Sequence, residues 1–532
     1  MWAVTFAVFI NPFSSRAQHS MKSDSFKKRY LYKLSTNFLG FFISLFTAGI
    51  VPRALGVENY GVFNYITTFF RQILDFLDAR TSTCFYVNLS QKPDDSDLLS
   101  FYSYYIIGVV IVLFGMSSVL AFTPIGALIQ IPKWPALFFY AAAFCVFTWI
   151  SEILISVMDA HGYTVPLEKI RLINRVISTI VLLFLFSQKM LNIRNYFYYQ
   201  FLILLLLSVF ILIFLWRQNR SGIEINKISI SAFKNKGRAF FQYSFPMLGY
   251  MGIGAIVTIL QRWMLQYYGG NYEQGIFAFA NNFQILPVIF ITALQPLTIR
   301  EMSIAALADN KQHILSYFNK TYPVMFALAA YFSAFFFMEV SSIIKIFGGA
   351  DYKDAALPLR FFLLSPLIYS MSSINDAVVL ATKQTKLLLK LSLLSSPLGL
   401  LLTYIFLNPE LLNFGATGLV IRTVGLEFFG FLLLLYIISK QVGYNFKKCC
   451  SHFLYALPFL GVSYVAHEIS TIAANGLPFL VIFFLSGFLY TCSIGFILYF
   501  IPTIIGLPRS IIDPLFNRVI ELIQARCKKP SA

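Results

Sequence analysis

Fourteen stretches of the chain are apolar for about 20 residues, the length an α-helix needs to cross the hydrocarbon of a membrane. Short polar segments separate them, so the pattern predicts an all-α polytopic membrane protein. Twelve spans is the alternative count, because the fifth and thirteenth stretches carry the weakest signal. The predicted spans are residues 31–51, 62–88, 100–122, 136–158, 171–187, 196–216, 240–268, 275–299, 320–347, 357–381, 387–407, 415–438, 451–470 and 477–502.

The basic residues are concentrated in alternate connections between these spans. The connection over 217–239 is the strongest example, and the segments "FKKR", "NFKKCC" and "ARCKKP" fall on the same side. Because Lys and Arg mark cytoplasmic loops, the N-terminus is predicted to be cytoplasmic. The basic residues of 217–239 are Arg217, Arg220, Lys227, Lys234, Lys236 and Arg238.

The order of the spans and basic segments predicts a domain plan. The chain would begin with a cytoplasmic tail at 1–30, in which Met21 opens a basic segment and is a candidate for the true start. The remaining predicted parts are an N-terminal lobe of six spans at 31–216, a basic cytoplasmic linker at 217–239, a C-terminal lobe of six spans at 240–438, a basic loop with two additional helices at 439–504, and a basic cytoplasmic tail at 505–532.

Two glycine-containing stretches, "VPRALGVENYGVF" and "YYGGNYEQGIFAF", resemble each other at an offset of 214 residues. Gly56 aligns with Gly270 and Gly61 with Gly275, and each stretch joins the first span of a six-span set to its second. Glycine suits such a turn because it adopts positive φ and allows close backbone approach. Since six is even, both sets enter the membrane in the same direction. The prediction is two parallel-repeat lobes around a central cavity.

Composition agrees with the span pattern, since 58% of the residues are hydrophobic and only 12% are charged. Soluble domains carry about twice that charged fraction. The net charge of +18 follows the span orientation, so no nucleic-acid partner is expected. The six cysteines show no paired spacing, and the five histidines fall on predicted loops or helix ends without a ligand spacing. No disulfide framework, metal site or cofactor is therefore expected.

Polar side chains are dense in the first, second, seventh and eighth predicted spans. Such groups are costly in lipid unless they are partnered or face water. Their density predicts a hydrated cavity suited to sugar hydroxyls and an anionic head group. Arginine adds a charged fork that matches phosphate oxygens. The candidate binding residues are Arg53, Arg71 and Arg262 for the phosphate, with Asn37, Asn64, Gln261, Asn281 and Asn282 around them.

Several other charged residues lie inside predicted spans. Arg71, Asp75 and Asp78 follow i, i+4, i+7 and share one helix face, and Arg71 and Asp75 are close enough to pair directly. Glu152 and Glu339 also lie within spans. For each of these charges, a structural ion pair explains its position as well as a functional role does.

The segment "STNFLGFFISLFTAGIVPRALGVENYGVFNY" resembles the start of the polysaccharide flippases of the O-antigen and capsule type. These belong to the superfamily of multidrug, oligosaccharidyl-lipid and polysaccharide exporters. The shared pattern is an asparagine, an apolar run, and Pro-Arg-x-Leu-Gly-x-x-x-Tyr-Gly. The matching residues are Asn37, Pro52, Arg53, Leu55, Gly56, Tyr60 and Gly61. The seventh span of such proteins often carries Asp-Arg; this chain has Gln261–Arg262, so the acidic partner is missing.

The resemblance implies a flippase for undecaprenyl-pyrophosphate-linked oligosaccharide repeat units in a bacterial inner membrane. It further implies alternating access driven by a proton or sodium gradient, a lipid-linked oligosaccharide and membrane lipid as partners, and a polysaccharide polymerase and a chain-length regulator as candidate protein partners. Asp75, Asp78 and Asp376 are the candidate ion-coupling residues, from their positions within spans. No catalytic residue is expected.

Three rival functions stay open. A lipid II flippase or a small-molecule drug transporter would belong to the same superfamily. A polysaccharide polymerase or glycosyltransferase would be a membrane enzyme, but every predicted outer loop is short and no soluble catalytic domain is present in the pattern. The acidic segment "PDDSD" at 93–97 is interpreted as a solvated turn. A carrier is therefore favoured over an enzyme.

Overall fold

The computed structural model describes residues 26–92, 95–130, 134–218, 230–307, 311–382, 384–474, 476–509 and 513. Almost all of these residues are helical, and no strand occurs among them. The all-α class is therefore confirmed. The chain divides into two compact units, Met1–Gly275 and Ile276–Ala532. The boundaries of the predicted domain plan stay a prediction.

The described part of the first unit contains six helices and the first part of a seventh. Helices α5 and α1 are extensively packed, as are α4 and α6. A short 3₁₀ turn, Pro124–Ile129, follows α3. The helices are α1 (Phe26–Asp78), α2 (Thr81–Gln91), α3 (Ser96–Phe122), α4 (Ala136–Ala160), α5 (Thr164–Ser187), α6 (Ile193–Gln218) and the first part of α7 (Ile230–Leu307).

The second unit contains the rest of α7 and the helices that follow it. A π-helical turn, Ile344–Gly348, and 3₁₀ turns at Ala350–Ala355, His452–Tyr455 and Pro502–Ile505 interrupt the series. Within this unit α15 packs against both α16 and α8. The helices are α8 (Lys311–Met338), α9 (Val340–Ile343), α10 (Ala356–Phe362), α11 (Ser365–Ala381), α12 (Thr385–Leu407), α13 (Gly415–Val442), α14 (Phe446–Ser451), α15 (Ala456–Ala473) and α16 (Phe479–Phe500).

Ten helical segments in the described part of the chain are long and apolar enough to cross a membrane. They coincide with ten of the fourteen predicted spans, including the fifth and thirteenth, which carry the weakest sequence signal. The other four predicted spans fall on α1, α2 and α7, and only the second of them, 62–88, is interrupted, at residues 79–80. Large apolar side chains such as Phe484 and Phe488 on α16 are exposed, as a lipid-facing surface requires. The chain is a multi-pass membrane protein.

The second predicted span, 62–88, is not one helix. It breaks after Asp78, where Ala79 and Arg80 adopt left-handed φ values of 43° and 66°. Asp78 then caps the new helix α2 by accepting hydrogen bonds from the Ser82 N–H at 3.1 Å and the Ser82 hydroxyl at 2.8 Å. A side-chain acceptor satisfies N–H groups that a helix start leaves without partners. The apolar pattern continues across this break and therefore conceals it.

The acidic segment 93–97 has a local structural role where it is described. Asp95 caps α3 by accepting from the Leu98 N–H at 2.8 Å, and it forms an ion pair with Lys236 of α7. Partial burial by itself raises the pKa of Asp95. The hydrogen bonds from the Lys236 ammonium and the Leu98 N–H outweigh this effect, so the pKa is lower than the usual value for aspartate. The carboxylate therefore stays ionised and joins α3 to the start of α7.

Candidate functional site

The two aligned glycine stretches form equivalent kinks. Gly56 interrupts α1 with φ 73° and ψ 168°, and Gly270 interrupts α7 with φ 66° and ψ −163°. This region of backbone conformation is essentially restricted to glycine. The sequence repeat thus predicts the two positions at which long helices bend.

Just after the kinks, residues 57–61 of α1 and 271–275 of α7, all within the first unit, cross in direct backbone contact. A Cβ placed on Gly61 would lie 2.0 Å from the carbonyl oxygen of Asn271, and one on Gly275 would lie 2.1 Å from that of Val57. Val57 and Asn271 are themselves separated by the repeat offset of 214. The contacts are therefore reciprocal, as expected of two equivalent elements related by a two-fold axis. Only glycine allows this approach.

Arg262 is held beside this crossing. Its Nη1 donates to Gln274 Oε1 at 3.0 Å, and Gln274 Nε2 donates in return to the Arg262 carbonyl. Gln274 is fully buried, and the guanidinium interacts electrostatically with Tyr60 and Tyr65. These hydrogen bonds join the segments of α7 before and after Gly270. They also hold the Arg262 guanidinium next to Tyr60, the tyrosine of the Pro-Arg-x-Leu-Gly-x-x-x-Tyr-Gly pattern.

A polar strap connects the 3₁₀ turn after α3 to α7. Trp263 Nε1 donates to the Leu128 carbonyl at 2.7 Å, and Gln266 Nε2 donates to the Gln130 carbonyl at 2.9 Å. Gln266 Nε2 also reaches Asn271 Oδ1 at 2.7 Å, within the crossing. Gln266 lies in the seventh predicted span, where polar side chains are dense, but the sequence does not reveal these partners, because backbone acceptors in a turn leave no residue-type signal.

Arg71 forms a triad with two carboxylates. Its Nε lies 2.9 Å from Asp75 Oδ1, as the i, i+4 spacing predicts, and its two terminal nitrogens lie 3.3 Å from the two oxygens of Glu152 on α4. The side chains are 37%, 39% and 51% exposed for Arg71, Asp75 and Glu152, respectively. Two carboxylates around one guanidinium leave a formal charge of −1. The triad suits a bound cation or proton better than it suits an additional phosphate.

The remaining candidates are distributed over both units. In the first unit, Arg53 is exposed, Gln261 is half-buried, and Asn64 Nδ2 donates to the Tyr60 carbonyl at 2.8 Å. The side chain of Asn37 lies outside the described part of the structure. Asp78 is buried and occupied by the α2 cap. Its assignment to ion coupling stays a prediction.

In the second unit, Asn281 Oδ1 accepts from Gln284 at 2.8 Å, and Asn282 is exposed. Asp376 on α11 is partly buried, with Tyr369 as an electrostatic neighbour and without a hydrogen bond or ion pair among the described residues. Among those residues, no group of three His, Cys, Asp or Glu side chains is placed to hold a metal ion. The binding and coupling roles given to these residues stay predictions.

Comparison with solved structures gives a clear fold relationship. The lipid II flippase MurJ, in an inward closed conformation, matches with a TM-score of 0.63 and 16% identity over 88% of this chain and 99% of that chain. An inward-facing multidrug resistance MATE family transporter of the MOP superfamily matches with a TM-score of 0.58 and 14% identity, covering 84% and 98%. The chain has the fold of the MOP-superfamily transporters.

A further MOP-superfamily transporter, from Pyrococcus furiosus, matches with a TM-score of 0.50 and 12% identity over 78% of this chain and 94% of that chain. No protein-family model and no curated protein matches the sequence. At these identities the likeness establishes the MOP transporter fold alone. The three similar structures are a lipid II flippase and two MOP-superfamily transporters.

Proposed function

We propose that the chain is a flippase that moves undecaprenyl-pyrophosphate-linked oligosaccharide repeat units from the cytoplasmic to the periplasmic leaflet of a bacterial inner membrane. One observation carries the proposal: the Pro-Arg-x-Leu-Gly-x-x-x-Tyr-Gly motif builds the Gly56 kink and the Gly61 crossing in a chain with the MOP transporter fold. The motif that carries the resemblance to polysaccharide flippases thus also supplies the glycines of the kink and of the close helix contact.

The mechanism we propose is alternating access. The Gly61–Gly275 crossing would be closed when the cavity opens to the cytoplasm and would separate when the cavity opens to the periplasm. Arg262, held beside the crossing by Gln274, would bind the pyrophosphate together with Arg53. Asn64, Gln261, Asn281 and Asn282 would meet sugar hydroxyls, with Asn37 as a further candidate.

The Arg71–Asp75–Glu152 triad supports a coupling role for Asp75. In our proposal Arg71 serves mainly to hold the two carboxylates close together. A proton or sodium ion that binds to these carboxylates would weaken their ion pairs with Arg71. Arg71 would therefore be available to bind the substrate phosphate only when an ion is bound to the two carboxylates. Asp376 is retained as a second coupling candidate because it is partly buried within a span.

Lipid II is the alternative substrate, and one of the similar structures is a lipid II flippase. Both substrates share a polyprenyl pyrophosphate, so the arginines do not separate them. A drug transporter is less well supported, since the groups positioned at the kink include a fixed cation. A polysaccharide polymerase and a chain-length regulator are the proposed partners in the repeat-unit pathway.

Complementation tests the substrate. In cells lacking their O-antigen flippase, expression of this chain is expected to restore surface polymer, because the proposed cavity accepts the sugar-bearing pyrophosphate. Polymer is measured by gel analysis of extracted lipopolysaccharide. A parallel strain depleted of its lipid II flippase and a drug-sensitive efflux mutant serve as comparisons. Growth rescue of the lipid II flippase-depleted strain without surface polymer would favour lipid II as the substrate. Drug resistance without surface polymer would favour a drug transporter.

Membrane topology gives a second test. Glu58 is exposed beside the Gly56 kink, and Lys234 is exposed near the start of α7. In a chain with its native cysteines replaced, Glu58→Cys is expected to react with an impermeant maleimide from the periplasm, and Lys234→Cys only after lysis. Gly270 is a less suitable label position, because its positive φ strains any substitution. Labelling of Lys234→Cys alone in intact cells would overturn the predicted orientation.

A further inference from the structure

A buried acid–base pair lies in the second unit, and neither of its residues is among the candidate binding or coupling residues. Glu339 occupies the junction between α8 and α9, and its side chain is fully buried. Its Oε1 lies 2.7 Å from Nδ1 of His467 on α15, whose side chain is 29% exposed. The pair therefore joins one of the two helices that follow the second predicted lobe to the end of a helix inside that lobe.

The second carboxyl oxygen of Glu339, Oε2, is buried without a hydrogen-bond partner. The backbone around it is satisfied, since the Glu339 N–H donates to the Phe335 carbonyl and the Ile343 N–H donates to the Glu339 carbonyl. Burying an ionised carboxylate costs several kcal/mol unless an opposite charge compensates it. His467 is positioned to supply that charge when it is protonated.

In the described part of the structure, no other charged side chain pairs with either residue. Neither Glu339 nor His467 has an additional ion pair or side-chain hydrogen bond among the described residues. Arg360 of α10 lies over the ring of Phe337, 6.0 Å from its centroid, and Tyr490 of α16 donates to the Tyr331 carbonyl. Ionisable groups on α15 and on the elements packed around the pair include Lys345, Arg360, Tyr331, His452, Tyr455, Tyr464, Glu468, Tyr490, Cys492 and Tyr499, with Glu468 and Lys345 exposed.

We propose that Glu339 and His467 form a proton-binding site that controls the docking of α15 against α8. With one bound proton the pair is neutral overall, whether the proton is on the imidazole or on the carboxyl group. Without it, a net negative charge is buried with an unpartnered oxygen. Because that state is costly, proton loss favours separation of α15 from Glu339, and proton binding favours docking. Of the two side chains, only the imidazole is partly exposed, at 29%, and it lies close to the end of α15, so the proton would be exchanged through His467.

Linkage fixes the sign of the pH dependence. If the docked state holds one proton more than the separated state, the docking equilibrium changes by up to about tenfold per pH unit. The range to scan is about pH 5 to 8, in which histidine side chains in general can change charge. Rising pH therefore loosens α15, and falling pH tightens it. This inference goes beyond the proposed function, since it needs no particular transported substrate.

Hydrogen–deuterium exchange on the purified full chain in lipid nanodiscs tests the site. After correction for intrinsic exchange, amides of α15 are expected to lose protection as the pH rises through this window. Glu339→Gln should remove the pH response, because a neutral amide needs no proton to remain buried. Glu468→Gln, which changes the exposed neighbouring carboxylate, should respond like the wild type. His467→Asn should lower protection across the whole scanned range, because the buried carboxylate then lacks the side chain that shares the proton with it.

Two outcomes would overturn the proposal. One is wild-type protection of α15 that does not change with pH. The other is a pH response that persists in Glu339→Gln or is lost in Glu468→Gln. If Glu339→Gln does not fold, the wild-type response and the His467→Asn comparison decide. None of these measurements depends on transport, so a failed complementation assay leaves them unaffected.

Discussion

Replacing Gly61 with alanine is expected to reduce export at least about tenfold, and Gly275→Ala should act in the same way. Each added methyl carbon would clash with a backbone carbonyl oxygen. It would lie 2.0 Å from the oxygen of Asn271 or 2.1 Å from that of Val57, far closer than van der Waals contact allows. A backbone atom cannot rotate aside as a side chain can, so the two helices must separate. Overpacking of this kind costs about 1–3 kcal/mol. Surface polymer in the complementation strain is the measurement.

The controls are glycines in open surroundings on neighbouring helices. Gly108 of α3 and Gly254 of α7 have no atom within 4 Å of an added Cβ, so Gly108→Ala and Gly254→Ala should export normally at equal membrane abundance. The double variant of Gly61 and Gly275 should lose less than the sum of the two single losses, because one separation of the helices relieves both clashes. Normal export by both single variants would show that transport does not require the close crossing.

The two kinks were predictable because their cause is local. Glycine at a short connection indicates a backbone that other residues cannot adopt, and the repeat gives two independent instances, Gly56 and Gly270. The helical spans were predictable for a similar reason, since lipid demands long apolar helices. The contact of Gly61 with Asn271 was not, because spacing along the chain does not reveal which helices cross.

The acidic face of the second span shows where such reasoning reaches its limit. The i, i+4 rule correctly pairs Arg71 with Asp75. It assigns Asp78 to the same face, yet the chain leaves the helix at this residue and Asp78 caps α2 instead. Hydropathy does not detect the break, since the residues on both sides are apolar enough to continue.

Partners far apart in sequence were the hardest to foresee. Glu339 is recognisable as a charge within a span, and His467 as one of five histidines without a ligand spacing, but 128 positions separate them. Gln274 likewise gives no sign of its bonds to Arg262. Side-chain pairs of this kind depend on which helices pack together, and a single sequence does not reveal which residues then become neighbours.

Arg262→Ala is expected to lower export at least about tenfold while the protein remains in the membrane at its normal level. A charge-assisted hydrogen bond contributes about 1.5–3 kcal/mol, and the proposed pyrophosphate would lose a forked donor. Arg262→Lys keeps the charge without the fork and should retain intermediate activity. Arg53→Ala should also reduce export, by a smaller factor, because Arg53 is exposed and water screens its charge.

The choice of controls separates substrate binding from helix stability. Gln274→Leu removes the partner that holds Arg262, so it should weaken export in the same direction while leaving the charge present, and a higher substrate concentration should partly restore transport in vesicles. Arg194→Ala removes an exposed arginine that lies over Trp134, 4.9 Å from the ring centroid, and should export normally. If Arg262→Ala transports defined lipid-linked oligosaccharides as well as Arg194→Ala does, Arg262 does not bind the pyrophosphate, and its contacts with Gln274 serve only to brace the kink.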